Sequence, residues 1–286
     1  MISIFQAIIL GGLQGVSELF PISSLGHSVL LPAILGWRIE QNANYFLMFI
    51  VATHFATALT LFLYYWADWK RIIAGIFRSL KEREIRADDL SAKLGWLLIV
   101  ATVPVGIAGL LFEKTFKAFF AAPAYVAVFL VLNGVMLLVA EALRKRAKEV
   151  ASSGNADERI AGEVSWGKAV KVGLMQVIAL LPGFSRTGST ISGGLLVGLS
   201  HEDALRFSFL LATPVIAAAA LLELPGLAFS GQGYAILTAL IGAVCAALGA
   251  WLSARFLTRY FKTNKLTPFA VYCVLAGLIC LTVFTL

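Results

Sequence analysis

The chain has 286 residues, of which 59% are apolar and 14% are charged, against about 45–50% and about 25% in soluble proteins. This composition leaves too little polar sequence to cover a water-soluble protein of this size. It excludes a cytosolic enzyme, a disordered chain and a secreted disulfide scaffold. The net charge of +7 is typical of the orientation signal of a membrane protein and does not indicate nucleic-acid binding. The sequence therefore predicts a polytopic membrane protein with no nucleic-acid partner.

Six apolar stretches are long enough to cross a bilayer, because a hydrocarbon layer of about 30 Å needs roughly 20 helical residues. They are about Tyr45–Trp66, Leu94–Phe112, Tyr125–Leu143, Ala204–Leu224, Tyr234–Leu257 and Pro268–Leu286. Each is predicted to be a transmembrane helix.

Four further apolar stretches are too short to cross, and they form two pairs, each joined by a polar motif that contains proline. The pairs are Ile2–Val16 with Ile22–Trp37, and Trp166–Leu181 with Thr190–Leu199. We interpret each pair as a re-entrant hairpin, since irregular backbone at membrane depth is tolerated where protein or a watery cavity surrounds it. One kinked helix or two ordinary spans remain alternatives for the first pair.

Basic residues predict the orientation. The segments 70–93 and 144–171 carry seven Lys or Arg each, and with those at 206 and 255–265 they hold 19 of the 23 basic residues. By the positive-inside rule these segments face the cytoplasm. Six crossings then place both termini outside, and the two hairpins enter from opposite sides with their tips facing each other.

The order of the elements predicts an internal repeat. Repeat one covers 1–143, a cytoplasmic linker covers 144–164, and repeat two covers 165–286. Each half holds one hairpin and three spans, and three is odd, so the halves are inverted relative to each other. The predicted fold is a single all-α polytopic membrane domain with an inverted-topology repeat, each half being one re-entrant helical hairpin plus three transmembrane helices.

The first motif, residues 14–27, gathers ionisable and hydroxyl groups where a helix breaks. Gln14 and Glu18 are four residues apart and share a helix face. Either Ser23 or Ser24 can cap the next helix, whose first turn also holds His27. Because ionisable groups at membrane depth are costly and rare, their clustering indicates function.

The second motif, residues 182–190, predicts an anion site. A helix that begins near Thr187 would direct free N–H groups and a positive dipole end at the tip, which favours phosphate. Arg186 adds planar, bidentate recognition of phosphate oxygens. Ser185 and Thr190 supply hydroxyls, and Gly188 allows the backbone to approach a ligand closely.

Structural roles are the alternatives for these residues. Glu18 and Arg186 could form only an ion pair that holds the halves together, the serines could act only as caps, and His27 could satisfy a carbonyl. We expect structural hydrogen bonding from the polar residues in or near the spans, which are His54, Asn133 and Glu223.

The two motifs, Gln-Gly-x-Ser-Glu-x-x-Pro-x-Ser-Ser-x-Gly-His at 14–27 and Pro-Gly-x-Ser-Arg-x-Gly-x-Thr at 182–190, resemble those of undecaprenyl-diphosphate phosphatases of the bacitracin-resistance family. The resemblance implies an enzyme of the bacterial inner membrane, embedded in membrane lipid. Such an enzyme hydrolyses undecaprenyl diphosphate to undecaprenyl phosphate and inorganic phosphate. The reaction recycles the lipid carrier for cell-wall synthesis and gives bacitracin resistance.

Carried onto this sequence, the resemblance implies functional roles for seven residues, Gln14, Glu18, Ser24, His27, Ser185, Arg186 and Thr190, and the two motifs add Ser23, Thr187 and Gly188. The expected catalytic residues are Glu18, Ser24, His27 and Arg186, and the expected substrate contacts are Gln14, Ser23, Ser185, Thr187, Gly188 and Thr190. The family also implies a homodimer and a divalent cation, Mg²⁺ or Ca²⁺, with Glu18 and Gln14 as candidate ligands. Gln14 stands where the family often has glutamate, so a metal site here would have one charge fewer.

Three nucleophiles remain open at this stage: Ser24, which we favour, His27, and a metal-activated water held by Glu18. A transporter or flippase of isoprenoid lipid phosphate is the alternative function, because inverted repeats with hairpins at the bilayer centre are also a transporter plan.

Overall fold

The computed structural model describes residues 1–40, 43–119, 123–144, 156–223 and 233–285, with the backbone alone over 113–119. The described residues form α-helices and no β-strand. In chain order the helices are α1 (Ile4–Leu19), α2 (Ser24–Ile34), α3 (Asn44–Tyr64), α4 (Trp66–Glu82), α5 (Leu90–Phe119), α6 (Pro123–Leu143), α7 (Ala156–Glu163), α8 (Trp166–Val177), α9 (Arg186–Leu196), α10 (His201–Glu223), α11 (Gly233–Tyr260) and α12 (Thr267–Thr285).

Six of the described helices are long and apolar enough to cross a membrane, namely α3, α5 as far as Phe112, α6, α10, α11 and α12. Each contains all or nearly all of one predicted span, with ends that differ by a few residues. The break in α5 at Phe112, where the backbone leaves helical geometry, coincides with the predicted end of that span. The all-α, multi-pass membrane class is therefore confirmed.

The short apolar stretches form two helical hairpins. Helix α1 ends at Leu19 and α2 begins at Ser24, and the two helices pack against each other, as do α8 and α9. The first pair is therefore not one continuous kinked helix. A single 3₁₀ turn over Ile178–Leu180 follows α8 before the second hairpin turns.

Glycines allow the first hairpin to approach α11 closely. A Cβ atom on Gly15 would lie 2.1 Å from the Ala246 carbonyl oxygen, and one on Gly11 would lie 2.3 Å from the Gly242 carbonyl oxygen. Only a residue without a side chain fits at such distances, so these two positions fix α1 against α11.

The helix pairs support the predicted repeat. Helix α1 of the first half packs on α11 of the second, and α8 of the second half packs on α5 of the first. Across the halves, α3 packs on α10 and α6 packs on α12. A two-fold relation between the halves would produce these same pairs, because it exchanges α1 with α8 and α11 with α5. The inverted topology itself remains a prediction.

Part of the predicted linker at 144–164 is ordered helix. Residues 156–163 form α7, whose Asp157 is buried and accepts hydrogen bonds from Arg71 and Arg206, each at 2.9 Å. Arg206 also pairs with Asp68 at 2.9 Å. This charged network ties α4, α7 and the start of α10 together at one end of the bundle.

The glycine contact predicts opposite effects for two substitutions on α1. Gly15→Ala should destabilise the protein by about 1–3 kcal/mol, because the added methyl group overlaps a backbone carbonyl. Gly12→Ala is the matched control, since a Cβ there meets nothing within 4 Å and alanine favours helix. Thermal unfolding in detergent measures both; equal melting temperatures for the two variants would contradict the packing described for α1.

Candidate active site

The two hairpin turns meet through a buried ion pair. Arg186, the first residue of α9, donates from Nη2 and Nε to Glu18 Oε1 at 3.0 and 3.3 Å. Thr187 Oγ1 donates to the backbone carbonyl of Glu18 at 2.8 Å. The side chains of Glu18 and Arg186 are only 6% and 11% exposed, so little water screens their attraction.

The second oxygen of Glu18 joins three more side chains. Glu18 Oε2 accepts from Ser24 Oγ at 2.5 Å and from Gln14 Nε2 at 3.1 Å. His54 Nε2 of α3 lies 3.3 Å from the same oxygen. Glu18 therefore connects a hydroxyl, an amide, an imidazole and a guanidinium that come from four helices.

The local structure of the first turn explains why Ser24 can reach Glu18. Ser23 caps α2, its Oγ accepting from the Gly26 N–H at 3.2 Å. It has a φ of 71°, a left-handed conformation that is costly for a residue with a side chain and is frequent at functional turns. Of the two candidate caps, Ser23 takes that role and leaves the Ser24 hydroxyl free to bind the carboxylate.

Asn133 of α6 holds the two turns together. Its Nδ2 donates to the Pro21 carbonyl at 3.1 Å, and its Oδ1 accepts from the Ser185 N–H at 2.9 Å. Ser185 Oγ caps α9 by accepting from the Gly188 N–H at 3.0 Å, and donates to the Phe20 carbonyl at 3.3 Å. The structural role expected of Asn133 agrees with these contacts.

All six residues expected to bind substrate contact protein groups, and Thr187, Gly188 and Thr190 do so between the two hairpins and α10. Thr190 Oγ1 lies 2.9 Å from the Arg186 carbonyl and 2.5 Å from Ser208 Oγ of α10. Gly188 lets the turns approach, since a Cβ there would lie 3.3 Å from Pro21. Thr187 bonds the Glu18 backbone as described above. Their placement suits a role in joining the hairpins.

His27 is not brought to the cluster around Glu18. Its Nδ1 lies 2.6 Å from the Ser23 carbonyl and its Nε2 lies 2.7 Å from the Tyr272 hydroxyl. A carbonyl can only accept, so Nδ1 carries the proton and Nε2 accepts from Tyr272. Both nitrogens of His27 are thus engaged, as in the structural alternative considered for it.

His54 is the histidine that lies beside Glu18. Its Nδ1 donates to the Ile50 carbonyl at 2.8 Å, which turns Nε2 towards Glu18. The signal that could have found it is an ionisable residue in the middle of an apolar span. His54 was named from its sequence but given only a structural role, because α3 is remote from both motifs in sequence.

A cavity of about 540 Å³ begins at this cluster. Its polar wall includes Glu18, Ser24, His54, Ser185 and Arg186. The rest is mainly apolar and comes from α2, α3, α10 and the second hairpin, with Leu25, Phe46, Leu47, Ile50, Phe184, Val215, Ile216 and Ala220 among its residues. The cavity therefore joins an anion-binding end to an apolar wall.

Comparison with known proteins identifies the family. The family described as "Bacitracin resistance protein BacA" matches residues 7–279. The chain belongs to this family. A relative from Mycolicibacterium paratuberculosis named "Undecaprenyl-diphosphatase" is 46% identical, over 96% of this chain and 95% of its own. Relatives named "Undecaprenyl-diphosphatase 2" from Chromobacterium violaceum and Frankia alni are 44% and 40% identical, and each alignment covers at least 96% of both chains.

The divalent cation implied by resemblance to the BacA family does not fit Glu18 and Gln14 as the structure places them. Gln14 turns its amide nitrogen towards the carboxylate, and both Glu18 oxygens already accept hydrogen bonds, which leaves Gln14 Oε1 as the one oxygen of the pair without a partner among the described residues. Within the described ranges, no three His, Cys, Asp or Glu side chains come together in a way that could hold a metal ion. The pair therefore does not present two free oxygens to one ion.

Proposed function

We propose that this member of the BacA family hydrolyses undecaprenyl diphosphate to undecaprenyl phosphate and inorganic phosphate. The observation that carries this proposal is the Ser24 hydroxyl, hydrogen-bonded to Glu18 at 2.5 Å beside Arg186 at the head of a mainly apolar cavity. The names of the relatives support it. The product is the lipid carrier for cell-wall synthesis, and its recovery would give bacitracin resistance.

Arg186 binds and neutralises the terminal phosphoryl group. Its guanidinium can present two parallel N–H groups to phosphate oxygens, and it stands at the N-terminus of α9, where the helix dipole favours an anion. Phosphoryl transfer depends mostly on such positioning and charge stabilisation. Substrate would take over part of the Arg186 contact that Glu18 makes in the structure.

Ser24 is the nucleophile and Glu18 is its base. Ser24 Oγ attacks the terminal phosphorus, a serine–phosphate bond forms, and the bond from phosphorus to the bridging oxygen breaks to release undecaprenyl phosphate. Glu18 accepts the Ser24 proton through the hydrogen bond already present. Water then hydrolyses the phosphoserine, releases inorganic phosphate and restores the hydroxyl.

His54 shares a proton with Glu18. The Ile50 carbonyl fixes a proton on His54 Nδ1. Because Glu18 is ionised when it pairs with Arg186 and acts as the base, the contact between Nε2 and Glu18 Oε2 needs a further proton on His54 Nε2. That proton can be given to the bridging oxygen as the lipid phosphate leaves. His27 lies outside this contact, which favours serine over His27 as nucleophile.

The contact between a serine and a carboxylate also favours hydrolysis over transport. A carrier of lipid phosphate needs an anion clamp such as Arg186. It has no need of a hydroxyl held 2.5 Å from a buried base.

The cavity supports a site that faces the outside of the bacterial inner membrane, with both termini on that side. Phe46 near the start of α3 and Glu223 at the end of α10 line it. The other ends of these helices, the C-terminal end of α3 and the N-terminal end of α10, lie beside α4, where Arg206 of α10 pairs with Asp68 of α4. Helix α4 carries basic residues that are expected to face the cytoplasm. The two hairpins would then be re-entrant and meet near the bilayer centre.

Purified protein in detergent should release phosphate from undecaprenyl diphosphate, and Ser24→Ala should lose at least about 10³-fold in kcat because it removes the nucleophile. Arg186→Lys should lose about 10²–10³-fold, since an ammonium cannot make the bidentate contact. Phosphate release and the melting temperature are measured together. A fully active Ser24→Ala variant would end the serine mechanism, and transport without hydrolysis by the intact protein would favour the carrier.

The two histidines provide the matched comparison within the same assay. His54→Gln should lower kcat by about 10²-fold or more and change the shape of the pH profile, because glutamine cannot share the proton with Glu18. His27→Gln loses a positioning contact to Ser23, so any loss should leave the shape of the profile unchanged. The reverse pattern would give the acid–base role to His27 and contradict the role proposed for His54.

Membrane orientation can be tested with a charged, membrane-impermeant thiol reagent on intact cells whose outer membrane has been made permeable. Ser24→Cys in a background without the native cysteines should be modified from outside, because the cavity leads from Ser24 to the outer ends of α3 and α10. Modification only after the cytoplasmic side is exposed would contradict the proposed orientation.

A further inference from the structure

Two polar side chains in the cavity wall have no hydrogen-bond partner within the part of the chain that the structure describes. They are Ser28 of α2, through its Oγ, and Gln176 of α8, through both its Nε2 and its Oε1. Gln176 is 1% exposed and Ser28 is 2% exposed, so their polar atoms are buried. The mechanism above uses neither residue.

Buried polar groups almost always have partners, because an unpaired one loses its hydration without compensation. The neighbouring groups in this cavity follow that rule, since Glu18, Ser24 and Arg186 all bond to protein. The unpaired atoms in the same wall therefore indicate a ligand that provides partners for them. Two of the three, Gln176 Nε2 and Ser28 Oγ, are donors and need acceptors, which the oxygens of a phosphate supply; Gln176 Oε1 is itself an acceptor and takes no bond from an ionised phosphate oxygen.

The placement of Ser28 relative to the nucleophile suits the second phosphate of a diphosphate. Ser28 is four residues after Ser24 on α2, so both hydroxyls lie on one helix face, a turn apart. That turn runs away from the hairpin tip, and Leu25, Ser28 and Val29 along it all line the cavity. Gln176 comes from the other hairpin, in the last turn of α8, so each hairpin supplies one group.

We propose that Gln176 and Ser28 bind the phosphate that remains on the lipid, while Arg186 and Ser24 bind the phosphate that is removed. The assignment rests on the proposed function and names a second subsite within the same cavity. Both groups are uncharged, in contrast to Arg186, and they hold the lipid phosphate by hydrogen bonds alone.

Product inhibition separates the two subsites. Gln176→Leu and Ser28→Ala should each raise the inhibition constant of undecaprenyl phosphate and lower kcat/KM by about 10-fold, the usual effect of losing a hydrogen bond to a charged ligand. Inhibition by inorganic phosphate, which occupies the terminal subsite, should change by less than about two-fold. An unchanged inhibition constant for undecaprenyl phosphate in both variants would overturn the proposal.

Thr213→Val is the control, because Thr213 Oγ1 of α10 also lacks a partner but Thr213 does not line the cavity. Its kinetics should equal those of the unsubstituted protein.

The melting temperature of Gln176→Leu should not fall, since the Gln176 amide makes no bond to the described protein groups. Loss of stability and activity together would show a structural role for Gln176 and overturn the proposal. If the unsubstituted protein releases no phosphate, the proposed function itself is refuted. If the protein is active and Gln176→Leu leaves its kinetics unchanged, only the second subsite is refuted.

Discussion

The contact between Glu18 and Arg186 is the constraint on which the site depends. Each charge would be costly to bury alone in a membrane protein, and removal of one partner of such a pair is strongly destabilising. The carboxylate ends α1 in one half of the chain and the guanidinium begins α9 in the other. Both hairpins therefore have to turn at the same place. The bridge from Asn133 to the two turns, and the glycines that let α1 approach α11, serve that requirement.

The same contact prepares the chemistry. Glu18 receives hydrogen bonds from Ser24, Gln14 and Arg186, so the base is held in place before substrate arrives. Such preorganisation is the main way in which a protein stabilises charge that develops during reaction. When phosphate oxygens draw on Arg186, Glu18 keeps only its contacts to His54, Ser24 and Gln14 and becomes a stronger acceptor for the serine proton.

Much of the fold could be predicted because it follows from length and hydropathy. Six apolar stretches had to be spans, and proline with serine marked both turns. The partners Glu18, Ser24 and Arg186 could also be found, because each is polar at a break between short apolar helices.

The choice between His27 and His54 could not be made in this way. His27 is close to Ser24 in sequence, yet the cap at Ser23 and the Tyr272 hydroxyl engage it, whereas His54 reaches Glu18 only through the packing of α3 beside α1. Likewise, Thr190 and Gly188 belong to a motif that predicts ligand contact, but packing of α9 against α10 and α6 occupies them.

The most direct test of the account is a double-mutant cycle on unfolding between the two hairpin turns. Glu18→Gln and Arg186→Gln each leave a buried charge without its main partner, and each should destabilise the protein by about 3–5 kcal/mol. If the two side chains meet as described, the double variant should be more stable than the sum of the single losses predicts, by about 1–3 kcal/mol. Losses that simply add would show that the carboxylate and the guanidinium do not share one site.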